Sequence, residues 1–176
     1  SLDEPEGITR PVGRLPFPTA DNLILAQEFV TGSSAYTNEP ITVTINLSSA
    51  GASSTFLVEI YNKSGANPGT SIATLSGANM PAAGDATYTG MVTLAASTSY
   101  FIVISAVDSN PSYQIYLTNS DNITAALGFT APNEHQTSGT TAPNWSVTSV
   151  LKRIRFSIQM GAALPVELLG FKGESK

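Results

Sequence analysis

Apolar and polar residues alternate with a period of two along much of this chain. In Pro40-Ile-Thr-Val-Thr-Ile-Asn-Leu47, Ile41, Val43, Ile45 and Leu47 fall on one face of an extended strand, with Thr42, Thr44 and Asn46 on the other. In Phe56-Leu-Val-Glu-Ile-Tyr61 the same alternation turns Phe56, Val58 and Ile60 inward and Leu57, Glu59 and Tyr61 outward. This pattern belongs to antiparallel sheet with one face in a core and the other in water. It predicts strands near residues 23–31, 41–47, 55–61, 71–75, 87–94, 99–107, 113–118, 145–150 and 153–160. Between them, Ser64-Gly-Ala-Asn-Pro-Gly-Thr70 and Ala82-Ala-Gly-Asp85 supply residues that take positive φ or pre-set a bend. The run Phe101-Ile-Val-Ile-Ser-Ala-Val107 is apolar on both faces and predicts a central strand. No stretch sustains a helical period, and strands so short and so evenly punctuated predict an all-β, antiparallel β-sandwich of jelly-roll type.

The pattern changes at both ends and in one long interior stretch, which divides the chain into segments 1–20, 21–160 and 161–176. In the first, Pro11, Pro16 and Pro18 stand around Val12, Leu15 and Phe17, a spacing no helix survives. The segment is expected to be extended and to lay Val12, Leu15 and Phe17 on an apolar surface. At the other end, Leu164-Pro-Val-Glu-Leu-Leu-Gly-Phe171 follows a Gly161-Ala-Ala hinge and reads as a second apolar extended tail. Residues 119–144 are rich in Asn, Thr, Gly and Pro, with Ile123, Leu127 and Phe129 as anchors, and are expected to form a long loop.

Composition narrows the setting. At 176 residues the chain suits one domain with a single core. Charged residues are only 12% of it, against roughly 25% in ordinary soluble domains, and Ser and Thr make up about a quarter. Solubility therefore rests on hydroxyls and amides. The net charge of -5, with Lys63 the only basic residue between Leu15 and Leu151, argues against nucleic-acid binding, which needs clustered Lys and Arg. No apolar run reaches the roughly 20 residues of a membrane helix, so membrane insertion is not expected. Low charge and a polar, Lys-poor surface favour a secreted protein, extracellular or at the cell surface, with Ser1 following a removed leader. Zero cysteines exclude disulfides and thiolate chemistry.

A family resemblance points the same way. Ala26-Gln-Glu-Phe-Val-Thr-Gly32, Phe56-Leu-Val-Glu-Ile-Tyr61, Gly65-Ala-Asn-Pro-Gly-Thr70 with Ile72-Ala-Thr-Leu-Ser-Gly77, and Tyr88-Thr-Gly-Met-Val-Thr-Leu-Ala-Ala-Ser-Thr-Ser-Tyr100 resemble the choice-of-anchor R domains. That resemblance implies an exported, non-enzymatic β-sandwich. The tail from Leu164 to Phe171 is similar to the segment that precedes sorting domains in type IX secretion cargo, although this chain stops at Lys176, where such a domain would begin.

Candidate chemistry is sparse. His135 is read as a solvated loop histidine, since neither a Gly-x-Ser-x-Gly elbow nor a His-Glu-x-x-His motif is present, and one histidine makes a zinc site improbable. Glu28 and Glu59 are the carboxylate pair to examine for glycoside hydrolysis. Asp108-Ser-Asn110 and Asn119-Ser-Asp-Asn122 are read as Asx turns rather than calcium loops. The sequons at Asn46, Asn62, Asn122 and Asn144 are what chance supplies in so Asn- and Thr-rich a chain. No catalytic residue, cofactor or metal is assigned.

The expected function lies in the tails. Val12, Leu15 and Phe17, and at the other end Leu164, Val166 and Leu168, are read as anchors of strands that join copies of the chain into an oligomer or polymer. Arg153 and Arg155, on one face of a predicted strand, would complement the acidic start Asp3-Glu-Pro-Glu6 of a neighbour. The alternative is a carbohydrate-binding or adhesive module with Tyr113, Tyr116 and Trp145 stacking on a glycan. Against that stands Trp145 as a core plug at the start of a strand.

Overall fold

A computed structural model describes residues 8–12, 24–49, 56–106, 113–118, 127–132, 134–138, 144–150 and 153–161 of the protein. Twelve strands run in chain order: β1 (Ile8–Val12), β2 (Ile24–Val30), β3 (Tyr36–Ser49), β4 (Phe56–Ser64), β5 (Asn67–Leu75), β6 (Gly84–Leu94), β7 (Ser99–Ala106), β8 (Tyr113–Thr118), β9 (Glu134–Ser138), β10 (Ser146–Val150), β11 (Arg153–Ile154) and β12 (Phe156–Met160). They form two antiparallel sheets packed face to face. The first eight pair as β1 with β8, β2 with β7, β3 with β6 and β4 with β5. One sheet therefore reads β1-β8-β3-β6 and the other β2-β7-β4-β5, the order of a long hairpin rolled into a jelly roll. Beyond β2 the second sheet gains β9 and β10, while β11 and β12 pair with β8 and β3 of the first.

The period-two alternation explains the core. Ile41, Val43, Ile45 and Leu47 of β3, with Ile115 and Leu117 of β8 in the same sheet, pack against Phe56, Val58 and Ile60 of β4 and Ile102 and Ile104 of β7 in the other, all within 2% of complete burial. Burying a side chain of this size contributes about 1.5–3 kcal/mol. At one end an aromatic group closes the sandwich: Phe29 lies 5.9 Å from Tyr100 and 6.0 Å from Phe129, which meets Tyr36 edge-on at 5.8 Å. The segment carrying Phe129 approaches so closely that a Cβ on Gly32 would collide with the Leu127 carbonyl.

One buried polar residue crosses the core. Gln27 points inward from β2 with no exposure. Its Nε2 donates to the Pro132 and Glu28 carbonyls at 3.2 and 3.0 Å, and its Oε1 accepts the Ile154 N–H at 2.9 Å. One amide thus joins β2 to β11 of the opposite sheet and to the segment that carries Phe129.

Three expectations change. The stretch 119–144 is not one loop, because Glu134–Ser138 forms β9, paired to both β2 and β10, and His135 lies in that strand. Of its expected anchors, Phe129 is buried, Leu127 is exposed and Ile123 lies outside the described residues. The expected strand 153–160 is broken at Arg155, where the chain crosses from β8 to β3. There the Arg155 N–H donates to the Tyr116 carbonyl at 2.8 Å and its carbonyl accepts the Asn46 N–H at 3.3 Å.

Candidate functional site

The N-terminal strand β1 is an outer strand of its sheet. Its five residues pair in antiparallel register with β8 of the same chain: Ile8 with Leu117, Thr9 with Tyr116, Arg10 with Ile115, Pro11 with Gln114 and Val12 with Tyr113. Proline suits an edge strand, which needs no outward N–H. Val12, an expected assembly anchor, is thus paired with Tyr113, an expected ligand residue. Leu15, Phe17, Leu164, Val166 and Leu168 lie outside the described residues, as do residues 3–6 and the candidate calcium turns at 108–110 and 119–122.

The two arginines are separated. Arg153, on β11, is buried, whereas Arg155 is exposed in the gap between β11 and β12. They do not present one basic strand face, because the chain changes sheet partner between them.

The aromatic candidates are separated as well. Tyr116 lies between Ile115 and Leu117, which face the core, so it stands on the outer face of the β1-β8-β3-β6 sheet, half-buried. Trp145 precedes β10 and packs, half-buried, on Ala26, Phe101 and Val103 of β2 and β7, beside Ile24 and Tyr61. That is the outer face of the other sheet. Tyr116 and Trp145 thus lie on opposite sides of the sandwich, and Trp145 is a plug in a small second core.

That second core explains why β7 is apolar on both faces, and it has a roof. Lys63, near the tip of the β4–β5 hairpin, pairs with Glu28 at 2.5 Å, and its ammonium lies 6.0 Å from the centre of the Phe101 ring. The Ala66 carbonyl at the tip accepts the Gln136 Nε2 at 2.8 Å, although Gln136 belongs to β9 on the far side of β2. The hairpin tip therefore curls across the sheet. Gln136 is buried, and its Oε1 has no hydrogen-bond partner among the described residues.

Glu28 and Glu59 share this outer face but hold separate partners. Glu28 takes Lys63. Glu59 accepts Ser71 Oγ at 3.0 Å and Thr74 Oγ1 at 3.1 Å through Oε1, and the Tyr61 hydroxyl at 3.4 Å through Oε2. Burial first, then the charge and hydrogen bond of Glu59, hold the Tyr61 phenol above its ordinary 10.0. It stays protonated and keeps donating. Among the described residues, no three His, Asp or Glu side chains gather as a metal site would require.

Among the described residues, one concavity is a cleft of about 460 Å³ where β3 and β6 meet β4, β5 and β7, lined by Asn38, Asn62, Ile72, Met91, Thr93 and Tyr100 among others. In the sequence, Asn62 stands out only as a sequon, and the others carry no site motif. A sequence signal toward the cleft is Met91, a large apolar side chain at an outward position of an alternating strand. In comparisons with protein-family models, curated proteins and solved structures, none matches this chain.

Proposed function

We propose that the protein is a non-enzymatic structural subunit of an extracellular filament, matrix or surface layer, and that its copies join by exchanging β1. The observation that supports this reading is the position of β1 at a sheet edge, hydrogen-bonded to β8 in a register that a second copy offers equally well. Residues 13–23, which join it to β2, include Pro16 and Pro18. Fully extended, such a stretch reaches roughly 36–40 Å, about the width of a domain this size. A neighbour's β8 is therefore within range.

Exchange replaces each contact with an identical one, so the balance is set by the connection and by concentration. A short flexible tether holds its strand at an effective concentration in the mM range. Crowding at a surface, or a connection stiffened by proline, shifts the balance toward the neighbour. The low charge, the hydroxyl-rich surface and the resemblance to exported sandwich domains support an extracellular setting. The separation of Tyr116 from Trp145 weighs against the sugar-stacking alternative built on those residues.

The test is the assembly state of the purified protein beside a variant lacking residues 1–20, by light scattering and negative-stain microscopy. Oligomers or filaments that grow with concentration and vanish on truncation are expected. A monomer at every concentration would refute the reading.

A further inference from the structure

We propose that the cleft at the β3/β6 and β4/β5 edge is a binding site for a neutral saccharide. It is independent of strand exchange and uses none of the three aromatic residues considered above. Three features of its wall support this.

First, the ladder is broken where the cleft residues sit. The β3–β6 register shifts between Tyr36 and Glu39, and Asn38 within that bulge has φ 51, in the left-handed region that asparagine tolerates. The β4–β5 register shifts twice, between Ile60 and Tyr61 and between Tyr61 and Lys63, which leaves Asn62 and Ile72 out of the pairing. Bulges re-aim side chains, and here they line one cavity with Asn38, Asn62 and Ile72.

Second, the polar groups are fixed in one donor pattern. Asn62 Oδ1 accepts the Thr70 N–H at 2.7 Å and the Thr70 hydroxyl at 3.3 Å, which sets the amide's orientation and leaves Nδ2 to donate. Gly69 permits this, since a Cβ there would collide with Asn62 Oδ1. Thr93 Oγ1 accepts the Asn38 N–H at 3.0 Å, and the Tyr100 phenol oxygen accepts the Ala95 N–H at 2.9 Å, so each hydroxyl retains its own proton to donate. Fixed donors suit a ligand rich in ether and hydroxyl oxygens.

Third, the apolar surface is in the same place and no charge is. Of the four large apolar side chains left exposed among the described residues, Ile72 at 42% and Met91 at 50% both line this cleft. No lining residue is Asp, Glu, Lys, Arg or His. An aliphatic patch beside fixed neutral donors matches a sugar ring, whose C–H face packs while its edge hydroxyls bond. The volume falls in the usual range for small-molecule sites.

The chain has three methionines, so ¹³C-methyl methionine NMR reads the site directly, with Met80 and Met160 as internal controls. The probes are maltotriose, cellotriose and triacetylchitotriose, each at about 20 mM, enough to saturate a site with a Kd near about 1 mM. Saturable movement of the Met91 methyl with at least one probe is expected, together with about tenfold weaker binding in Asn62→Ala and in Thr93→Val. Unchanged Met80 and Met160 signals in the variants would show that the fold is intact. A Met91 methyl unmoved by all three sugars, equal movement of Met80, or undiminished binding in both variants would overturn the proposal.

Discussion

At the scale of single residues, Gln27 carries the most consequence for its size. It lies inside the sandwich, where every neighbour on its strand face is apolar, yet its amide satisfies carbonyls at Pro132 and Glu28 and the N–H of Ile154. Replacing it by an isosteric hydrocarbon leaves buried backbone groups unpaired, which costs more than the hydrogen bonds themselves contribute. Gln27→Leu is expected to lower stability by about 2–4 kcal/mol in urea unfolding, with the slope unchanged. A loss below about 0.5 kcal/mol would show that water replaces the amide. Periodicity places Gln27 inward without giving it a partner, because all three of its bonds go to backbone groups, two of them more than 100 residues away. The same holds for Gln136, whose partner at Ala66 is reached only because a hairpin tip bends over the sheet.

At the scale of strands, the sequence showed most clearly those elements whose side chains alternate. Strands β3, β4, β6 and β8 stand where their patterns placed them, and β7, apolar on both faces, is indeed central, between β2 and β4. Strand β9 was invisible because Glu134-His-Gln-Thr-Ser138 has no apolar alternation; its place is fixed by main-chain pairing on both sides. The break at Arg155 was invisible for a related reason, since Arg153–Met160 is continuous in pattern and only the divergence of β8 from β3 makes the chain cross. The candidate sites fared worse, because a pattern assigns a residue to a face without saying which sheet that face belongs to. Trp145 shows the consequence: it covers Ala26, Phe101 and Val103 on the outer face of β2 and β7, so its role is in packing. Trp145→Ala is expected to destabilise the fold by about 1–3 kcal/mol in thermal or urea unfolding. An unchanged stability would return Trp145 to the list of ligand candidates.

At the scale of the whole molecule, the two sheets, the second small core and the polar outer faces describe a domain that closes on itself through β1. Thr44 meets Thr87 at 3.2 Å on the outer face of β3 and β6, and the Asn46 Nδ2 donates to Asp85 Oδ1 at 2.5 Å, so hydroxyls and an amide stand there beside a single carboxylate. Under the proposed function, that closing strand can be supplied by a neighbour. Thr9 and Tyr116 are directly opposed between β1 and β8, at a separation that a disulfide spans in antiparallel pairs. The chain has no cysteine of its own, so in a double variant, Thr9→Cys with Tyr116→Cys, the only thiols are at these two positions, and the single variants Thr9→Cys and Tyr116→Cys report any bridge between like positions of two chains. The most direct measurement is to oxidise the double variant beside the single ones over a concentration series and separate them on a denaturing, non-reducing gel. A ladder of covalent oligomers that lengthens with concentration in the double variant, while neither single variant goes beyond a dimer, is expected, whereas a single monomer band carrying an internal disulfide at every concentration would contradict strand exchange.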